Sequence, residues 1–252
     1  MNRTLPPQSS SLVVPASRNA NWFDRQQFAI PAEALNSTAA YSCFAPQNYE
    51  SGYAYPLIVW LHGEQSNEDE LPQVMPLVST RNFVAIAPRG PRRVQDVRGA
   101  YTWDDSADCI AEAADRVDAC VAIARERFHI HLDRIFVAGH GAGGTMAHRL
   151  GLEFPDRFAG AISLGGHAPR GSRLFKNLHR AKKLPLLLCA SPTDGIYSTE
   201  EVTSDLRFLH NAGLSLSLRL YPAGDSLTTV MFEDLNKWVM EQFCSSSTAT
   251  AS

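Results

Sequence analysis

The segment Arg134 to Leu150, RIFVAGHGAGGTMAHRL, constrains the fold more than any other stretch of the chain. An apolar, β-branched run ends at Gly139, and a helix-forming run rich in Ala, Met and Leu begins within a few residues. Between them, Gly139-His140-Gly141-Ala142-Gly143-Gly144 carries four glycines in six positions. A turn this tight between strand and helix needs backbone that L side chains would obstruct, and it belongs at the carboxyl end of a buried strand.

Other segments repeat the alternation. Pro56–Leu61 and Phe83–Ala87 are nearly continuous apolar runs, as expected of strands covered on both faces, and they open into His62-Gly63 and Pro88-Arg89-Gly90. Arg157–Leu164 and Leu184–Ala190 read the same way, while Leu214–Tyr221 alternates Leu and Ser like an outer strand. Helical spacing runs from Asp105 to Phe128, from Thr199 to Asn211 and from Leu227 to Phe243, and two short β-like runs, Gln26–Ile30 and Ala39–Phe44, precede them. The expected fold is α/β, a mostly parallel central sheet with helices on both faces. Residues 1–20 read as a flexible lead, 21–244 as one domain and 245–252 as a flexible tail.

Composition excludes several classes. A formal net charge of -3 with scattered Lys and Arg is no footprint for nucleic acid, and no apolar window reaches the roughly 20 residues of a membrane span. The five cysteines, 43, 109, 120, 189 and 244, lie far apart without a C-x-x-C pair, which suits a reduced, cytoplasmic setting. Nothing implies a cofactor, and His129-x-His131 alone makes no metal site.

In its order of segments the chain resembles the carboxylesterase and phospholipase branch of the α/β-hydrolase superfamily, with its feruloyl-esterase and depolymerase-like types. YPLIVWLHG (55–63) looks like that family's third strand and oxyanion loop, DRIFVAGHGAGGTMAHRL (133–150) like its nucleophile elbow, and EFPDRFAGAISLGG (153–166) like the strand that follows. The resemblance places the nucleophile at Gly141, the acid at Asp194 and the histidine at Asp225, so two of three triad members are replaced. The backbone N–H groups of Glu64 and Ala142 fall where the oxyanion hole would be. The resemblance further implies that Asp194 and Asp225 face each other near the vacant nucleophile position, one with a raised pKa.

Acyl transfer through such a triad needs a hydroxyl to attack and an imidazole to take its proton. Glycine supplies no hydroxyl, and a carboxylate with a pKa of about 4 is a weak base toward an alcohol. The expectation is therefore a pseudo-hydrolase, a non-catalytic binding or regulatory protein for a small acyl or ester-like molecule. An ester or thioester hydrolase built on other residues is the alternative, and His62, His140, His167 and Trp103 are the pocket candidates. His62 suits ordering the oxyanion loop, His140 packing, His167 a spare imidazole and Trp103 a cover over the site. A third reading comes from Gly139-x-Gly141-x-x-Gly144, which also satisfies the dinucleotide-binding pattern, though no acidic residue follows the next strand to hold a ribose.

Overall fold

The computed structural model describes residues 40–191, 197–222 and 227–248. Its frame is a seven-stranded sheet: β1 (Tyr41–Phe44), β2 (Tyr55–Leu61), β3 (Val84–Pro88), β6 (Ile130–His140), β7 (Gly160–Leu164), β8 (Leu186–Ala190) and β9 (Leu216–Leu220). A two-stranded ribbon, β4 (Arg92–Arg93) and β5 (Tyr101–Thr102), stands apart. In the order β1-β3-β2-β6-β7-β8-β9 only β1 runs antiparallel to its neighbour.

The central strands are fully buried because helices cover both faces. Leu57, Val59 and Leu61 point to one side with Ile135 and Val137, against α2 (Ala107–Arg127) and α3 (Ala142–Glu153). Ile58 and Trp60 point to the other with Phe136 and Ala138, against α1 (Leu71–Val78) and α6 (Thr229–Thr248). The period of two along each strand thus feeds two separate cores, so both alternating sets are apolar. The short α4 (Leu178–Ala181) and α5 (Thr199–Asn211) complete the helices among the described residues.

Helix ends follow local chemistry. Ser106 caps α2 by accepting from Cys109 N, and Ser198 with Glu201 forms a capping box on α5. Two features went unforeseen. α1 carries Pro72 in its first turn, where proline is tolerated, and Pro76 inside its eight residues, which argues against a helix. It forms because Leu71, Val74, Met75 and Val78 are buried in the core it shares with α6. The expected strand at 157–164 begins only at Gly160, after a 3-10 turn at Pro155–Arg157. The run Gln26–Ile30, the lead 1–20 and residues 249–252 of the tail lie outside the described residues.

The order of the strands sets the position of a site. From β2 the chain steps to β3 on one side, then crosses to β6 on the other side of β2 and continues outward through β7, β8 and β9. The side of β2 on which successive strands are added therefore switches between β3 and β6, which opens a crevice at the carboxyl ends of β2 and β6. The loop after Leu61 and the turn after His140 face each other there, with Leu61 paired to Gly139 in the register.

Candidate functional site

The turn after β6 is built by glycines. Gly141 takes φ 52° and ψ -121°, a backbone state that L residues reach only under strain. It is pinned at both ends: its N–H donates to Leu164 O at 2.9 Å and its carbonyl accepts from Thr145 N at 2.9 Å. Gly143 lets the first turn of α3 lie against the backbone of β2, since a Cβ there would meet the carbonyl oxygens of Leu61 and His62. This is nucleophile-elbow geometry with a hydrogen where the nucleophile's side chain would begin.

The loop after β2 is held by side chains instead. His62 is fully buried. Its Nδ1–H donates to Gly63 O and its Nε2 accepts from Gly90 N, both at 2.9 Å, an assignment the two backbone partners dictate. Burial lowers its pKa against the pull of the Gly63 carbonyl and of Glu70 and Glu68, so the ring is neutral near pH 7. Trp103 donates from Nε1 to His62 O at 2.9 Å and packs beside the imidazole. Glu70 accepts from Trp60 Nε1 at 2.8 Å and from Gly63 N at 3.1 Å. Next to these, the carboxylate of buried Glu68 pairs with Arg89. His62 and Trp103, expected as pocket candidates, thus stand behind the loop as its support; Trp103 does not cover the cavity.

The two segments meet through Glu64. Its Oε1 accepts from Ala142 N at 2.6 Å, so a side chain of this same molecule holds the N–H at the head of α3. A Cβ added to Gly141 would collide with that carboxylate. Glu64 was expected to matter through its backbone N–H; the structure places its side chain in the site. The available signal was its position, an acidic residue one step beyond His62-Gly63 on the loop facing the turn.

Around this contact lies a cavity of about 220 Å³. Glu64, His140, His167 and Ser191 give it polar groups, and Leu164, Leu227 and Met231 give it apolar wall. His140 and His167 therefore do reach the cavity. The His140 ring is accommodated because a side chain on Gly63 would come within 2.7 Å of its Nδ1. His167 packs on Tyr197 with ring centroids 4.3 Å apart, and the Tyr197 hydroxyl donates to Asp205 Oδ2 at 2.8 Å. Asp205 also accepts from Ala168 N and pairs with Arg170, which fixes the segment carrying His167. Burial, reinforced by Asp205, raises the Tyr197 pKa, so its proton stays on.

Ser191 and Tyr197 escaped the sequence reading because apolar strand patterns say nothing about the residues that follow them, and Asp205 because helical spacing over 199–211 does not tell what partner a polar position on α5 meets. Asp194 and Asp225, and with them the expected carboxylate pair, lie outside the described residues. Among the described residues no cluster of three or more His, Cys, Asp or Glu could hold a metal ion, and no helix is long and apolar enough to cross a membrane.

Comparison with known proteins agrees with this architecture. A probable carboxylesterase of Oryza sativa subsp. japonica is 27% identical over 209 residues, covering 75% of this chain and 88% of the relative. Among solved structures, a Bacillus cereus carboxylesterase aligns with a TM-score of 0.63 at 17% identity, covering 82% of this chain and 96% of the other. Arabidopsis thaliana SOBER1 aligns with a TM-score of 0.65 at 20% identity, covering 75% and 100%. Likeness at these identities carries the α/β-hydrolase fold. The family model described as phospholipase/carboxylesterase matches residues 49–242, and the chain belongs to that family.

Proposed function

We propose that this chain is a non-catalytic member of the phospholipase/carboxylesterase family, a binding or regulatory protein that keeps the family's elbow and oxyanion loop without its acyl-transfer chemistry. The observation that carries this reading is the elbow itself: the strained turn is present, and the residue at its apex is Gly141. Three further features support it. Asp225 stands where the resemblance places the histidine. The Ala142 N–H, which would stabilise an oxyanion, is engaged by Glu64. Ser191 lines the cavity alongside His140 and His167 without a hydrogen-bond partner, so among the described residues it forms no Ser–His couple with either ring.

The experiment is turnover of a short-chain activated ester by the natural protein beside a Gly141→Ser, Asp225→His double variant and the same variant carrying Glu64→Ala. The natural protein is expected to be inert, with activity appearing first in the triple variant. Saturable multiple turnover by the natural protein would mean an ester or thioester hydrolase using other residues.

A further inference from the structure

The chain supplies a carboxylate to its own oxyanion site. In the switch crevice the first free N–H of α3, a helix of twelve residues, points at Glu64 Oε1. A helix N-terminus favours an anion there through its partial positive charge and its unpaired donors. Glu64 is nevertheless exposed, on a loop that turns immediately afterwards through a left-handed Gln65 at φ 56°. A carboxylate on an exposed stem can leave the site without unpacking a core.

A second observation shows that the cavity is prepared for more than Glu64. Ser191 is 7% exposed, lines the cavity, and its hydroxyl oxygen is buried without a partner among the described residues. A buried hydroxyl left unpaired is unfavourable, and of the four buried side-chain atoms without a partner among the described residues (Asp118 Oδ1, His148 Nδ1, Glu153 Oε1 and Ser191 Oγ) only that of Ser191 belongs to a residue lining the cavity. Leu164, Leu227 and Met231 add apolar wall in the same space. A hydrogen-bond donor for an oxyanion, a second unpaired hydroxyl and an aliphatic wall together describe the complement of a small aliphatic monocarboxylate.

We propose that the elbow cavity is a binding site for a short-chain carboxylate and that Glu64 is its resident plug, competing for the Ala142 N–H until a ligand carboxylate displaces it. This deepens the non-catalytic reading and rests on it, since a site that turned esters over would release the acid instead of retaining it. Two carboxylates cannot share one N–H at this range without strong mutual repulsion, so ligand and plug exclude each other. The stem tethers Glu64 to the site, which gives it a high effective concentration and makes the natural protein a weaker binder than one without the plug.

The test uses the full chain and sodium butyrate, titrated against sodium chloride at equal ionic strength and followed by amide resonances. The Glu64→Ala protein is expected to bind butyrate at least about tenfold more tightly than the natural protein, the gain set by the charge-assisted bond that no longer has to be broken. The Ala142 amide should shift on substitution and shift again on titration, while amides of the buried strands keep their positions and so report an intact fold. Adding Ser191→Ala to Glu64→Ala should weaken binding several-fold. Affinities of the natural and Glu64→Ala proteins within twofold of each other, or an Ala142 amide that stays still, overturn the plug. Unchanged affinity after Ser191→Ala overturns the cavity as its second half. Ester turnover by the natural protein would remove the non-catalytic reading on which the proposal rests, whereas the butyrate titration tests the plug and the cavity separately.

Discussion

The two segments that face each other across the β2–β6 crevice reach rigidity by opposite means. The loop after β2 is tied by side chains: His62 clamps Gly63 and Gly90, Glu70 holds Gly63 and Trp60, and Trp103 holds the His62 carbonyl. The turn after β6 is tied by the lack of side chains, its glycines letting backbone lie directly on backbone. A polar network can lose one member and relax, whereas a backbone contact has nowhere to go. The turn's geometry does not depend on a side chain at its apex, because it is held by the backbone bonds of Gly141 and by the close approach at Gly143. Glu64 is the one side chain that crosses from the first kind of segment to the second.

The largest effect should come from closing the backbone contact. Gly143→Ala places a methyl group against the carbonyls of Leu61 and His62 and should destabilise the protein by about 3 kcal/mol or more in urea unfolding. A loss below about 1 kcal/mol would show that this end of the turn is not backbone-limited, and the contrast between the segments would fail. On the polar side, Glu70→Ala leaves the Trp60 and Gly63 donors without their acceptor and should cost about 2 kcal/mol. The same denaturation experiment reads it, and a neutral result would mean that the loop's network is ornamental.

A comparable effect depends on pH. His148, in the middle of α3, is fully buried with Nε2 bonded to Leu187 O at 3.0 Å, and burial lowers its pKa from 6.5 to about 4. The unfolded chain therefore takes up this proton before the folded one. The neutral ring's contribution is complete above pH 6.5 and is lost as pH falls from there toward about 4, on the order of 3 kcal/mol over the window and about 2 kcal/mol of it between pH 7 and pH 5. Unfolding free energies at pH 7 and pH 5 for the natural protein and His148→Gln test it. The difference between the two pH values should shrink in the variant, and an equal pH dependence would remove the assignment.

The smallest effect sharpens the crossing point. Gly141→Ser must adopt the positive φ and displace Glu64, for a cost of about 1 to 2 kcal/mol. In a Glu64→Ala background only the backbone part should remain. A double-mutant cycle showing no coupling between positions 64 and 141 would separate the two segments completely.

Sequence alone determined the scaffold. Strands buried on both faces must be apolar along their whole length, so β2, β3, β6, β7 and β8 were legible as continuous runs, and glycine spacing marked the turn after β6 as a place where no Cβ fits. The residues at the positions where the resemblance puts a nucleophile and a histidine, Gly141 and Asp225, were read there too, since residue identity is all that reading requires. Tertiary structure decided what depends on contacts between distant segments. Pro76 inside α1 contradicts a helix until the core against α6 is in place, and Trp103 reads as a cover over the site until its bond to the His62 carbonyl puts it behind the loop. Above all, the bond from Ala142 N to Glu64 joins residues 78 positions apart. No local pattern encodes it, because a side chain's partner across a crevice is set by strand order and register, and those are properties of the assembled sheet.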